Sequence, residues 1–128
     1  MALNHTMDSG ELSLEIDVDQ GARISSIRFR DFECAVPFRG QTLTWGWYAM
    51  APWAGRIKDG LIKDSVGREL QLPVNFAPPH AIHGFGLTSS WEEIGDGAFA
   101  LDFPAPYSGA RVEQRFELLD NALRWSLE

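Results

Sequence analysis

Apolar and polar residues alternate along much of the chain. The clearest case is the segment 12–18, in which every second residue is Leu, Ile or Val and the residues between them are Ser, Glu or Asp. Because successive side chains of a β-strand point to opposite faces, this pattern predicts a strand with one buried and one solvated face. A second alternating run covers residues 111–128 and is divided by Asp120 and Asn121, so it predicts an antiparallel hairpin.

Shorter apolar segments, bounded by Gly, Pro, Asp or Asn, predict further strands between these two regions. They cover residues 22–29, 35–38, 69–72, 91–94 and 98–103. None of them carries an apolar stripe three helical turns long, so we expect an all-β antiparallel fold of the sandwich or barrel kind. No internal repeat, low-complexity segment or linker is present, which predicts a single domain over residues 1–128.

Gln114 interrupts the apolar face of the strand predicted after residue 111. A buried amide needs hydrogen-bond partners, because burial without them costs free energy. We therefore expect Gln114 either to make a polar contact on the face of a sheet or to form part of a site wall.

The charge balance limits the classes of partner. Lys and Arg number 11 and Asp and Glu number 18, which gives a formal net charge of −7. An acidic surface repels phosphate groups, so we expect neither nucleic acid nor an anionic membrane as a partner. The single cysteine, Cys34, excludes an internal disulfide and is typical of a reducing compartment. Because no signal peptide or membrane-spanning segment is recognisable, we expect a cytoplasmic protein, with Cys34 as a small buried residue.

Four aromatic residues crowd into the segment 45–53, namely Trp45, Trp47, Tyr48 and Trp53. One interpretation is a patch of the core, because aromatic side chains bury more area than any others. The other is a platform for a sugar ring, whose C–H groups pack on an aromatic face. Composition alone favours the core.

Arg56, His80 and His83 are the residues most suited to chemistry. The two histidines lie in a segment with Pro78, Pro79, Gly84 and Gly86, where turn residues hold the backbone tightly. An imidazole that titrates near neutrality can give or take a proton, and an arginine can bind hydroxyl or carboxylate groups. Taken singly, a surface charge and a hydrogen-bonded turn residue are the more frequent roles of such residues.

A metal site is not expected from the histidines. Zinc requires three or four ligands, and the third histidine, His5, lies in a terminus that we expect to be frayed.

Several motifs follow one another in a fixed order. They are AGRIKDG at 54–60, Gly67, LQLPVN at 70–75, PHAIHG at 79–84 and Trp91. In this order they resemble the aldose 1-epimerase (galactose mutarotase) family, and Gly21-Ala22-Arg23-Ile24 resembles the opening Gly-Ala strand of that family. The resemblance covers nearly the whole chain, and the ordered combination is more specific than any single motif.

The resemblance implies a β-supersandwich that interconverts the α and β anomers of an aldose without a cofactor. Ring opening requires a base that takes the proton of the C1 hydroxyl and an acid that protonates the ring oxygen. By resemblance, His83 is the catalytic histidine that contacts the sugar near its ring oxygen, Arg56 hydrogen-bonds sugar hydroxyls, and His80 lines the pocket. Gly55 stands where many members carry a substrate-binding Asn.

The family domain is more than twice as long as this chain. Its second histidine, its sugar-binding Asp and its glutamate base come from segments that would follow residue 128. The resemblance therefore implies the N-terminal portion of an aldose 1-epimerase-like domain, whose monosaccharide substrate the sequence does not specify. Three hypotheses stay open: an isomerase that is incomplete in this chain, a non-catalytic carbohydrate-binding domain, and an inactive fragment whose unpaired strand edges lead to self-association.

Overall fold

The structure, a computed structural model, describes residues 4–128. Over this range it contains no α-helix; the helical segments are short 3₁₀ turns at Thr42–Thr44, Lys58–Gly60 and Gly86–Thr88. Within the same range no helix has the length and apolar character needed to cross a membrane. The strands are β1 (Asn4–Ser9), β2 (Leu12–Asp17), β3 (Arg23–Phe29), β4 (Phe32–Glu33), β5 (Arg56–Ile57), β6 (Leu61–Lys63), β7 (Glu69–Gln71), β8 (Ala81–Ile82), β9 (Glu92–Gly95), β10 (Ala98–Asp102), β11 (Arg111–Leu119) and β12 (Ala122–Leu127).

Two four-stranded antiparallel sheets form the body of the fold. Their strand orders are β1-β2-β3-β4 and β12-β11-β10-β9. Two short antiparallel pairs, β5 with β8 and β6 with β7, complete the structure of the middle segment. The expected all-β antiparallel sandwich is therefore confirmed.

The core lies between the inward faces of the two sheets. Every apolar residue of the alternating segment 12–18 is buried, with Ile16 fully inaccessible. These side chains share one hydrophobic cluster with Phe99, Val112 and Phe116 of the second sheet. The apolar positions of the alternating segments are thus the ones that pack against the other sheet.

Gln114 makes the polar contact on the sheet face, the first of the two roles expected for it. Its side chain is fully buried. Its Nε2 donates to the backbone oxygen of Gly21 at 3.1 Å, and its Oε1 accepts from Trp125 Nε1 at 3.1 Å. Both ends of the amide are satisfied, so Gln114 links the turn between β2 and β3 to the hairpin of the second sheet.

The segment 35–38 is irregular, so the strand predicted there is wrong. The carboxylate of Glu33 accepts hydrogen bonds from the backbone N–H groups of Ile27 at 2.9 Å and Ala35 at 3.3 Å. This side chain takes the place of the next ladder partner, and β4 ends after two residues. Cys34 follows and is exposed, so the expectation of a buried cysteine is also wrong.

The N-terminal segment is ordered as a strand rather than frayed. β1 pairs with β2 over its whole length, from Asn4 opposite Asp17 to Ser9 opposite Leu12. On β1, His5 packs edge-on against Phe99, and its Nδ1 lies 3.2 Å from a Glu93 oxygen. His5 therefore connects β1 to the second sheet.

Candidate active site

The pairing of β5 with β8 brings Arg56 close to His83. Arg56 lies opposite Ile82 in this ladder, so His83 directly follows the partner of Arg56. The backbone N–H of His83 donates to Gly55 O at 3.0 Å, and the backbone N–H of Gly55 donates to His83 Nδ1, also at 3.0 Å. Two motifs that are far apart in the sequence therefore meet at adjacent backbone positions.

The turn that carries His83 has little steric freedom. His83 has φ +60°, in the left-handed region that is unfavourable for most residues with a Cβ atom. Gly84 has φ +72°, and a Cβ atom there would lie 2.0 Å from Ala51 O. The same carbonyl oxygen accepts from the N–H of Phe85 at 2.8 Å. Glycine at position 84 thus allows the chain to pass directly against Ala51, which holds the backbone of His83 in place.

The hydrogen bond to Nδ1 determines which ring nitrogen of the neutral His83 imidazole carries the proton. Because Nδ1 accepts from the Gly55 N–H, it carries no proton, and the neutral imidazole has its proton on Nε2. Burial lowers the pKa of His83 below 6.5, and the positive charge of Arg56 lowers it further. At neutral pH His83 is therefore a neutral side chain whose Nε2–H is a hydrogen-bond donor.

Arg56 presents an exposed guanidinium group beside this imidazole. In residues 4–128 no carboxylate lies within ion-pair distance of Arg56. Its planar group of five N–H donors is suited to hydroxyl or carboxylate oxygens of a ligand.

His80 contacts a different turn. Its Nδ1 accepts from the backbone N–H of Asp59 at 3.1 Å, and its own N–H donates to Ala77 O at 2.8 Å. Asp59 has φ +55°, so this bond supports a strained turn directly after β5. The pocket-lining role expected for His80 stays a prediction, and the contacts observed are those of a turn residue.

Arg23, which the sequence pattern did not mark as a candidate, is fully buried. Its guanidinium group lies 4.3 Å from the ring centroid of Trp45 and 4.6 Å from that of Tyr48. Tyr48 in turn lies 6.1 Å from the imidazole of His83, measured between ring centroids. Burial lowers the pKa of Arg23 to about 10, so the group stays charged at neutral pH. Tyr48 is therefore the ring that links the buried Arg23 to His83.

The crowded aromatic segment therefore has several roles rather than one. Trp45 is buried against Arg23, whereas Trp47 is 39% exposed. Trp53 packs edge-on against Phe85 with a centroid distance of 5.3 Å. The sequence does contain a sign that Arg23 is buried beside aromatic rings. A charged residue inside an apolar strand pattern needs partners, and aromatic faces provide them.

No group of three or more His, Cys, Asp or Glu side chains in the described part of the chain could hold a metal ion. The third histidine of the sequence, His5, belongs to β1 and contacts the second sheet.

Comparisons with known proteins bear on the fold. No family model matches the chain, and no curated protein does. Solved structures match closely in fold. A proposed aldose 1-epimerase from Escherichia coli K12 superposes with a TM-score of 0.80 and 25% identity, over 99% of this chain and 45% of that one.

Two more distant structures share the fold. A galactose mutarotase-like protein from Clostridium acetobutylicum has a TM-score of 0.73 and 18% identity, over 95% of this chain and 44% of that one. The Slr1438 protein from Synechocystis sp. PCC 6803 has a TM-score of 0.77 and 14% identity, over 99% and 48%. The chain thus spans less than half the length of each structure, and it has the fold of a mutarotase-like β-sandwich. The resemblance to the aldose 1-epimerase family inferred from the motifs is confirmed.

Proposed function

We propose that the chain supplies the Arg56 and His83 side of a sugar site in an aldose 1-epimerase-like isomerase, with residues 1–128 as the N-terminal portion of its domain. The observation that carries the proposal is the hydrogen bond from the Gly55 N–H to His83 Nδ1. It leaves a neutral Nε2–H donor next to an arginine that has no ion-pair partner among the described side chains. A hydroxyl-rich ring needs this combination of a directed donor and a charged group.

The reaction opens and closes the sugar ring. A base removes the C1 hydroxyl proton, the C1–O5 bond breaks as the carbonyl forms, and the ring oxygen receives a proton. After rotation about C1–C2, the reverse steps close the ring to either anomer. His83 donates a hydrogen bond to the ring oxygen and stabilises the charge that develops there, while Arg56 binds hydroxyl groups and orients the ring.

The proposal assigns neither the base nor the proton donor to a residue of this chain. By the family resemblance, we expect both to come from segments beyond residue 128. Each is worth about 10²- to 10⁴-fold in rate. We therefore propose that residues 1–128 alone bind an aldose and accelerate mutarotation weakly or not at all. The exposed, unpaired Cys34 supports the cytoplasm as the compartment.

The test combines binding at His83 with polarimetry. α-D-Glucose and α-D-galactose are titrated separately while the ring signals of His83 are followed by NMR, with His83→Asn used for assignment. We expect one aldose to shift these signals, Arg56→Ala to abolish the shift, and Arg115→Ala to leave it unchanged. Arg115 is a suitable control because it is an exposed arginine on β11.

Polarimetry of freshly dissolved sugar then measures catalysis. We expect the rate to stay close to that of the buffer. A rate far above it that Arg56→Ala and His83→Asn both leave intact would refute the site. So would the failure of both aldoses to perturb His83.

A further inference from the structure

A cleft of about 450 Å³ is lined by none of the residues Arg56, His80 and His83. Its volume is within the range of about 300 to 1,000 Å³ that small-molecule sites occupy. The lining comes from the end of β2, the turn after it, the loop after β4 and the first 3₁₀ turn. The residues are Asp17, Gln20, Phe38, Thr42 and Trp45.

The buried Arg23 guanidinium holds this lining together. Its Nε donates to Gln20 O, and its Nη1 donates to both Thr42 O and Trp45 O, each at 2.9 Å. Three of the five lining residues are therefore bound to one rigid, planar group. Such a cleft is largely formed before any ligand arrives, which lowers the entropic cost of binding.

One wall of the cleft is aromatic. Phe38 and Trp45 pack edge to face with a centroid distance of 5.5 Å. Trp45 is 8% exposed and Phe38 is 59% exposed. An exposed aromatic side chain fixed against a buried one offers an apolar surface to the flat side of a ligand.

Asp17 supplies an acceptor that lacks a donor. Its Oδ1 atom is buried and has no hydrogen-bond partner among the residues the structure describes. Burial raises the pKa of Asp17, and the charge of Asp19 adds to this, while the facing backbone N–H groups and Arg23 oppose it. Asp17 lines the cleft, so a ligand hydroxyl in the cleft is the donor we expect for this carboxylate.

The charges select a neutral ligand. The positive Arg23 behind the lining offsets the negative Asp17 in the cleft. An organic cation would be attracted by Asp17 but repelled by Arg23. An anion would be attracted by Arg23 but repelled by Asp17. A neutral ring with hydroxyl donors meets the acceptor, the amide of Gln20 and the aromatic wall without this conflict.

We propose that this cleft is a binding site for a neutral, hydroxyl-rich ring such as a pyranoside, separate from the site of Arg56 and His83. One face of the ring packs on Phe38, and its rim contacts Trp45, whose ring plane is steeply inclined to that of Phe38. A ring hydroxyl donates to Asp17, and Gln20 and Thr42 contact the remaining hydroxyls.

The test uses methyl β-D-glucopyranoside and methyl β-D-galactopyranoside with the whole chain. Neither glycoside has a free anomeric hydroxyl, so neither can undergo mutarotation, and the result is independent of catalysis at His83. The indole signal of Trp45 is followed by NMR in the wild type and in Phe38→Ala. We expect a saturable shift whose dissociation constant rises about tenfold or more in Phe38→Ala, since an aromatic contact is lost.

Phe32→Ala is the matched control, because Phe32 is 71% exposed and does not line the cleft. It should bind like the wild type, as should Arg56→Ala. Asp17→Asn should weaken binding, with circular dichroism confirming that the variant folds. No saturable shift of Trp45 with either glycoside would overturn the proposal. So would binding that is lost in Arg56→Ala but kept in Phe38→Ala, or a Trp45 response to tetramethylammonium and not to the glycosides.

Discussion

His83 and Gly55 exchange two hydrogen bonds, in which each residue donates its backbone N–H to the other. The N–H of His83 meets Gly55 O, and the N–H of Gly55 meets His83 Nδ1, both at 3.0 Å. The second bond exists only while Nδ1 is unprotonated, because an imidazolium has donors at both nitrogens. Protonation of His83 therefore breaks a contact between β5 and the turn after β8.

We expect this bond to make stability depend on pH below 6.5. The pKa of His83 is lowered in the folded state, so the unfolded state binds the proton more readily. The stabilisation is present above pH 6.5 and is lost as the pH falls toward the lowered folded-state pKa. Urea unfolding at a series of pH values should show a shallower dependence in His83→Asn than in the wild type. Identical slopes would contradict the assignment.

Gly84→Ala should strongly destabilise the protein. The added Cβ would lie 2.0 Å from Ala51 O, and φ at this position is +72°. Gly67→Ala is the matched control, since Gly67 has φ +85° but no atom lies within 4 Å of its added Cβ. We expect a loss of about 3 kcal/mol or more for Gly84→Ala and about 1 kcal/mol for Gly67→Ala in chemical unfolding. Equal losses would show that strain alone, and not the contact with Ala51, requires the glycine.

Arg23→Lys should destabilise the fold although it keeps the charge. Lysine lacks the planar group that reaches Gln20 O, Thr42 O, Trp45 O and Leu87 O in the wild type. We expect a loss of about 2–4 kcal/mol in the free energy of unfolding. Arg115→Lys on the exposed face of β11 should change it by less than about 0.5 kcal/mol. A variant as stable as the wild type would mean that these four bonds contribute little.

The outer edge of β12 should pair with a second copy of the chain. β12 is the last strand of its sheet, and the paired backbone bonds between Glu113 and Glu128 imply that the N–H of Leu127 faces away from β11. We expect a concentration-dependent dimer in light scattering. Leu127→Pro, which removes this outward donor, should weaken the dimer, whereas Leu127→Ala, which keeps the donor, should weaken it less. A strictly monomeric chain would contradict the prediction.

Much of the sandwich could be predicted from local patterns. Alternation predicted β2 and the hairpin of β11 and β12, because burial on one face of a strand leaves a period of two in the sequence. The same approach failed for residues 35–38, where the side chain of Glu33 captures backbone donors and ends the ladder. It also missed β1, whose polar residues carry little signal and whose order depends on pairing with β2.

The candidate site was predictable in its residues but not in its arrangement. The order of the motifs around Arg56 and His83 pointed to both residues and to the family resemblance. The Nε2–H form of His83 could not be inferred, since it depends on a backbone N–H contributed from elsewhere in the chain. The role of His80 stays a prediction.

The sequence by itself determined the class of fold, the inward faces of β2 and of the hairpin of β11 and β12, and the two residues on which the proposed function rests. Only the tertiary structure decided that β5 pairs with β8, that the Gly55 N–H bonds to His83 Nδ1 and so leaves the His83 proton on Nε2, and that the Arg23 guanidinium is fully buried. The physical reason is the distance along the chain over which each property is set. Side-chain periodicity is a local property of a strand, whereas hydrogen-bond partners and burial are set by segments that meet only when the chain folds.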